Sequence, residues 1–223
     1  FDALAEAVLD AGTDDSVKVV VLTGAGRAFS AGADLSGGRH GDNIRHGFPG
    51  CVDVLVDFEK PLLIAVNGLG VGVGATIVGL ADAAFMAENS RLRCPFSALG
   101  LTAEACSTYT FPMLMGRHKA SWFLLSAEWL SAQQCADAGL VADVFPDEGF
   151  LEAVQEKAAT LARLPMSSLR QTKSLIMAPH REAMRTAARA ENEGLASLRG
   201  GTANVEAVTA FAEKREPDFS GIN

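Results

Sequence analysis

KPLLIAVNGLGVGVGATIVGL, residues Lys60–Leu80, begins with Pro61 and an apolar run, Leu62 to Val66, of a length that suits one buried strand. The chain then turns at Asn67-Gly68. Gly70, Gly72 and Gly74 alternate with Leu69, Val71 and Val73, and an apolar segment ends at Leu80. A strand, a glycine-rich turn and a buried helix start can present bare backbone N–H groups to a ligand, since glycine has no Cβ to hold it off. Taken alone, these glycines serve equally well for tight packing of a helix on a strand.

Working outward, Phe1–Ala11 places Leu4, Ala5, Val8 and Leu9 at helical spacing, with Gly12 as the expected stop. Residues 17–22 are β-rich and predict a buried strand. Residues 23–38 form a long loop holding Gly24, Gly26, Gly32, Gly37 and Gly38. Residues 39–50 are polar and predict a mobile loop, 51–58 a short helix and 82–87 a further strand. Helix and strand therefore alternate over 1–87, a βαβ pattern that favours a parallel sheet with crossover helices. Ligands of such sheets sit beyond the carboxyl ends of the strands. Both glycine-rich stretches, 24–38 and 68–74, follow strands directly and are expected to meet there. Residues 91–100 read as irregular, 106–115, 118–126 and 132–138 as helices, and 141–145 as a short strand. Beyond Pro146 the pattern is helical almost throughout, which divides the chain into 1–146 and a helical subdomain, 147–223.

The 223 residues are 48% hydrophobic and 21% charged, enough to bury roughly 70–75% of the unfolded surface in one core. A net charge of −8, with no long Lys/Arg run, disfavours nucleic acid and anionic membranes as main partners. Cys51, Cys94, Cys106 and Cys135 form no CxxC pair and the four histidines are isolated, which disfavours zinc. Reduced thiols in a cytoplasmic protein are the expectation. No signal-peptide pattern and no run of ~20 apolar residues occurs. The sequence opens at Phe1, without methionine and inside a helical pattern, so a preceding segment is expected.

The glycines miss the dinucleotide fingerprint: after Gly68 and Gly70 the third position is Val73, and after Gly70 and Gly72 it is Ala75. Neither a GxxxxGK[ST] loop nor a GxSxG elbow is present.

Phe29-Ser30-Ala31-Gly32-Ala33-Asp34-Leu35, following Leu22-Thr23-Gly24, closely resembles the first signature of the crotonase (enoyl-CoA hydratase/isomerase) superfamily. Lys60-Pro61 through Gly74, with Ala81-Asp82, resembles the second. The stretch LSAQQCADAGLVADV, 130–144, resembles a third, helical segment, and Ala210-Phe211 to Lys214-Arg215-Glu216-Pro217-Asp218-Phe219 the C-terminal helix. The match runs in order through essentially the whole chain. It implies an α/β fold, a crotonase-like ββα superhelix core with a helical C-terminal subdomain. It also implies that two first strands of the family lie outside this numbering.

The resemblance further implies an acyl-CoA thioester substrate and an oxyanion hole made by the backbone N–H groups of Ala33 and Val73. Fixed amide dipoles there would hold the negative charge that appears on the thioester oxygen when a neighbouring proton leaves. One such donor is typically worth ~2.7–4 kcal/mol. Ala31, Gly32, Ala33, Asp34 and Leu35 resemble the adenine-binding segment. Phe211 and Lys214 match positions that cover the CoA nucleotide, often from a neighbouring subunit; Lys214 fits a solvated helix charge as well. The family implies a homotrimer, or a hexamer of paired trimers.

Hydratases of the superfamily place two glutamates about the substrate double bond; here Thr76 and Phe96 hold those places. Glu104, in LTAEACSTYTFP (101–112), instead resembles the single catalytic glutamate of peroxisomal-type Δ3,Δ2-enoyl-CoA isomerases. One carboxylate suits that reaction, taking a proton from C2 and returning it at C4, with no metal or redox cofactor. A glutamate at a helix start is also a common partner of the helix dipole. An apolar pocket would raise its pKa and a helix N-terminus lower it, and the sequence leaves both open. Hydration, thioester hydrolysis and a catalytically silent acyl-CoA scaffold stand as alternatives. Phe96, Leu99, Phe111, Met113 and Met115 fit an acyl pocket or, equally, a core.

Overall fold

The computed structural model describes residues 1–33 and 44–222. In chain order the elements are α1 (Asp2–Thr13), β1 (Val20–Thr23), β2 (Ala28–Ser30), α2 (Gly47–Asp57), β3 (Leu62–Val66), β4 (Leu69–Val71) and α3 (Val73–Thr76). A 3-10 turn, Ile77–Leu80, continues α3 into β5 (Ala83–Ala87) and β6 (Arg91–Arg93). Then come the 3-10 turn Ser97–Leu99, α4 (Ser107–Met115), α5 (Arg117–Ser126), β7 (Trp129–Ser131), α6 (Ala132–Ala138) and β8 (Asp143–Phe145). The helices α7 (Phe150–Ala162), α8 (Met166–Met177), α9 (Arg181–Leu198) and α10 (Thr202–Glu213) complete the described chain.

The strands form two sheets, ordered β1-β3-β5-β8 and β2-β4-β6-β7. The first is parallel throughout; in the second only β6 and β7 run antiparallel. Each pass of the chain lays one strand in each sheet, a ββα superhelix followed by a helical C-terminal region. Parallel ladders of this kind are buried on both faces, which is why β3 is apolar at every position. Leu62, Ile64 and Val66 face the main core with Met86 and Phe111. Leu63 and Ala65 face the other way, under Phe150 and Val154 of α7.

The second sheet departs from the alternation expected over 1–87. β2 lies inside the stretch expected as a loop, β4 inside the glycine turn and β6 inside the segment read as irregular. Each has three residues, too few for a period of two to register. Gly12 does not stop α1, which runs on to Thr13; the ring of Phe58 covers the glycine at 3.6 Å from where a Cβ would stand. Residues 47–50 belong to α2 rather than to a loop.

Two buried lysines tie helices to the start of β3. The Lys60 ammonium donates to the carbonyls of Ala11 and Asp14 at 2.7 Å, capping the end of α1. Lys173 of α8 donates to the carbonyl of Lys60 at 2.9 Å and to Asp82 Oδ2 at 2.7 Å. The same Asp82 oxygen accepts the N–H of Leu62 at 2.7 Å. Burial pulls the Lys173 ammonium down and the Asp82 carboxylate opposes it. On α6, Ser131 and Gln134 form a capping box and Gly139 ends the helix in the left-handed region, at φ 85°.

Candidate active site

Asn67 joins the two glycine-rich stretches. Its side-chain oxygen accepts the N–H of Gly24 at 3.0 Å, and its amide nitrogen donates to the carbonyls of Gly24 and Gly26, also at 3.0 Å. Beyond it, β2 pairs with β4, Ala28 against Leu69 and Ser30 against Gly70. The backbones then close up. A Cβ on Gly32 would lie 2.9 Å from the carbonyl oxygen of Val71, and one on Gly74 would lie 2.7 Å from the Ser30 carbonyl oxygen. Gly32, flanked by Ala31 and Ala33, is thus brought against the turn that carries Val73. Asp34 and Leu35 lie outside the described residues.

Gly72 has φ 58° and ψ −120°, a conformation open in practice to glycine, and it turns the chain from β4 into α3. Val73 is the first residue of α3, so its N–H belongs to the first turn, where donors have no acceptor within the helix. Thr76 is fully buried and its hydroxyl donates to the Gly72 carbonyl at 3.3 Å. Phe96 is buried as well.

Glu104 reaches this turn. Its Oε1 lies 4.0 Å from where a Cβ on Gly72 would stand. Burial pushes the Glu104 carboxyl up to about 7; the nearby Glu191 carboxylate adds to the rise and Arg199 opposes it. Of the two opposed effects expected from sequence, desolvation therefore wins. Glu104 is not the dipole partner of α4, because two residues separate it from the helix and another acid holds that place.

That acid is Glu191 of α9, only 4% exposed. Its Oε2 accepts the N–H of Cys106 at 2.7 Å. Its Oε1 accepts the N–H of Thr108 at 2.8 Å and the Thr108 hydroxyl at 2.7 Å. The residue before α4, Cys106, makes no cap with its own side chain, so Glu191 caps the helix from across the core. Between Glu104 and α4 lie Ala105 and Cys106 at φ 56° and 61°, consecutive left-handed residues that are not glycine. The sequence expectation missed Glu191. Its signal was its place in the buried stripe of α9, between Met184 and Leu195, where an acid is out of pattern.

Beside Glu104, Phe96, Leu101, Ala103, Thr108, Pro112 and Leu124 line a mainly apolar cavity of about 270 Å³. Of the five apolar residues singled out from sequence, Phe96 lines it, Leu99 is half-buried outside it, Phe111 and Met115 belong to the core, and Met113 is exposed. The fold does not bring Phe211 or Lys214 into this cluster: Phe211 is 70% exposed on α10, and Lys214 ends that helix in the left-handed region. All four cysteines are buried and free. Among the described residues no cluster of His, Cys, Asp and Glu could hold a metal ion, and no helix is long and apolar enough to cross a membrane.

A model of the enoyl-CoA hydratase/isomerase family matches residues 1–222. The chain is 40% identical over 187 residues to enoyl-CoA delta isomerase 2 of Rattus norvegicus, a match that covers 79% of this chain and 47% of that protein, about half its length. It is 35% identical over 214 residues to 2,3-dehydroadipyl-CoA hydratase of Escherichia coli, covering 95% of this chain and 84% of that one. An enoyl-CoA hydratase/isomerase from Pseudoalteromonas atlantica T6c superposes with a TM-score of 0.91 at 31% identity, covering 98% of this chain and 88% of that structure.

Proposed function

The chain belongs to the enoyl-CoA hydratase/isomerase family, and on that footing we propose that it is a Δ3,Δ2-enoyl-CoA isomerase. The observation that carries the reading is the Glu104 carboxyl, poised near neutrality and 4.0 Å from the Cβ position of Gly72. The N–H groups of Ala33 and Val73 hold the thioester oxygen of a 3-enoyl-CoA. Ionised Glu104 takes a proton from C2, and the electron pair runs onto that oxygen as a dienolate. The dienolate collapses with proton return from Glu104 to C4, which leaves the double bond between C2 and C3. Acid and base are one group, so a pKa near the working pH serves both halves. No cofactor beyond the CoA of the substrate enters the cycle. The segment from Ala31 through Asp34 and Leu35 receives the adenine, and Phe211 and Lys214 cover the nucleotide from a neighbouring copy. The chain assembles as a homotrimer or a pair of trimers through residues 147–223 and works in the cytoplasm, which its buried free thiols support.

The test is turnover of a 3-enoyl-CoA. Glu104→Gln is expected to fold as the parent does and to lose roughly 10²–10⁴-fold or more in kcat. Full activity would end the assignment. The similarity to a hydratase favours hydration as the second reading. Thr76 and Phe96 at the hydratase carboxylate positions weigh against it. Brisk hydration of crotonyl-CoA would reverse the order of the two. Tight acyl-CoA binding with no turnover at any chain length would replace both with a binding scaffold.

A further inference from the structure

Glu191 joins α9 to the start of α4. It stands on α9, yet its carboxylate accepts the N–H of Cys106, the second residue of the left-handed turn that separates Glu104 from α4, and that of Thr108 in the first turn of α4. Two consecutive left-handed residues that are not glycine persist only where their surroundings hold them. Ala105 is buried and its neighbour Cys106 fully so. The Cys106 N–H and the first-turn N–H of Thr108 both point to one acid, and its negative charge suits a helix N-terminus.

We propose that Glu191 is a positioning residue: by clamping the turn Ala105–Cys106 it fixes the carboxyl of Glu104 over the glycine turn. The inference rests on the reading of Glu104 as the base. Two consequences distinguish it from a purely structural cap. The first is geometric, because a base held loosely loses rate in the chemical step and not in binding. The second is electrostatic, because Glu191 is a like charge facing Glu104 and contributes to its raised pKa. The other charged and titratable groups around the pair are Arg199, which opposes that rise, Cys94 and Cys106, and the residues about a cavity of about 370 Å³ behind Ala105. These are Asp53 and Asp57 of α2, and Arg185 and Arg189 of α9. His180, hydrogen-bonded to Tyr109 of α4 at 2.8 Å, faces the same helix.

Glu191→Gln is the decisive variant. It keeps the size and removes the charge, and its amide group turns a donor toward one of the N–H groups that the carboxylate now accepts. With a 3-enoyl-CoA, kcat is expected to fall roughly tenfold to a hundredfold with KM little changed. The acid limb of the pH–rate profile is expected to move to lower pH, since Glu104 loses a neighbouring negative charge. A folded variant with an unmoved limb, or one in which KM rises while kcat holds, overturns the proposal. Carbon-13 NMR titration of the Glu104 carboxyl, in parent and variant, reads the same shift without turnover. It separates the two claims: active Glu104→Gln ends the isomerase reading together with the positioning role that rests on it, while an unshifted Glu104 titration ends the positioning role alone. Where Glu191→Gln melts too low to assay, Thr108→Val removes one bond of the clamp. It leaves the Glu191 charge in place and loosens the turn, so kcat is expected to fall by a smaller factor with KM little changed, and an unchanged kcat counts against the proposal.

Discussion

Glu104 costs the fold what it contributes to the site. Its carboxyl titrates at about 7 in the folded chain against an ordinary 4.5. An acid whose folded value is raised holds its proton more tightly folded than unfolded. Its stabilising share is complete below the ordinary value and is lost as pH rises through about 7. Above that, the ionised, partly buried carboxylate costs on the order of 2 kcal/mol. Glu104→Gln is therefore expected to melt above the parent in alkaline buffer and with it in acid, as read by calorimetry across pH. The activity of the parent should fall on the acid side of about 7, where the base is protonated. The residue itself was legible, because it stands in an isomerase-like segment while Thr76 and Phe96 replace the hydratase acids. Glu191 was not: 85 positions separate it from Cys106, and its place in the buried stripe of α9 marks it as out of pattern without naming the turn it caps.

At the scale of elements, length decided what could be read. β3, five residues and all apolar, lies where the sequence placed it, and α6 keeps its expected ends. β2, β4, β6 and β7 have three residues each and mix glycine, arginine and serine with apolar neighbours. Their pairing is fixed by the strands beside them rather than by their own pattern, so a whole sheet was invisible while the turns that flank it were not. The joint between α8 and β3 was equally hidden, since 91 positions separate Lys173 from Asp82 and no local pattern pairs them. Breaking it has a definite cost. Lys173→Met leaves Asp82 without its cation, and Asp82→Ala leaves the more deeply buried Lys173 without its anion. Asp82→Ala is expected to lose about 3–5 kcal/mol in chemical denaturation, the larger effect of the two. A loss no larger than that of an exposed pair would show that water reaches the joint.

The whole molecule leaves apolar surface on its last helix. Val205, Val208 and Phe211 follow one another at three-residue intervals on α10, and all are exposed. Isolated exposed apolar residues are ordinary, but a stripe of this kind fits contact with further copies. Light scattering on the eluting protein is expected to give the mass of a trimer or its double, and Val208→Glu to give monomer. An unaltered mass in that variant would move the contact elsewhere. The outer face of the parallel sheet, Leu63, Ala65 and Phe85, is roofed by Phe150 and Val154, which follow it by scores of residues. A ribosome releases the strands long before it releases their roof. Until α7 has emerged, the nascent chain carries an open apolar sheet, and a chain stalled in that interval is the form most exposed to chaperone capture and aggregation.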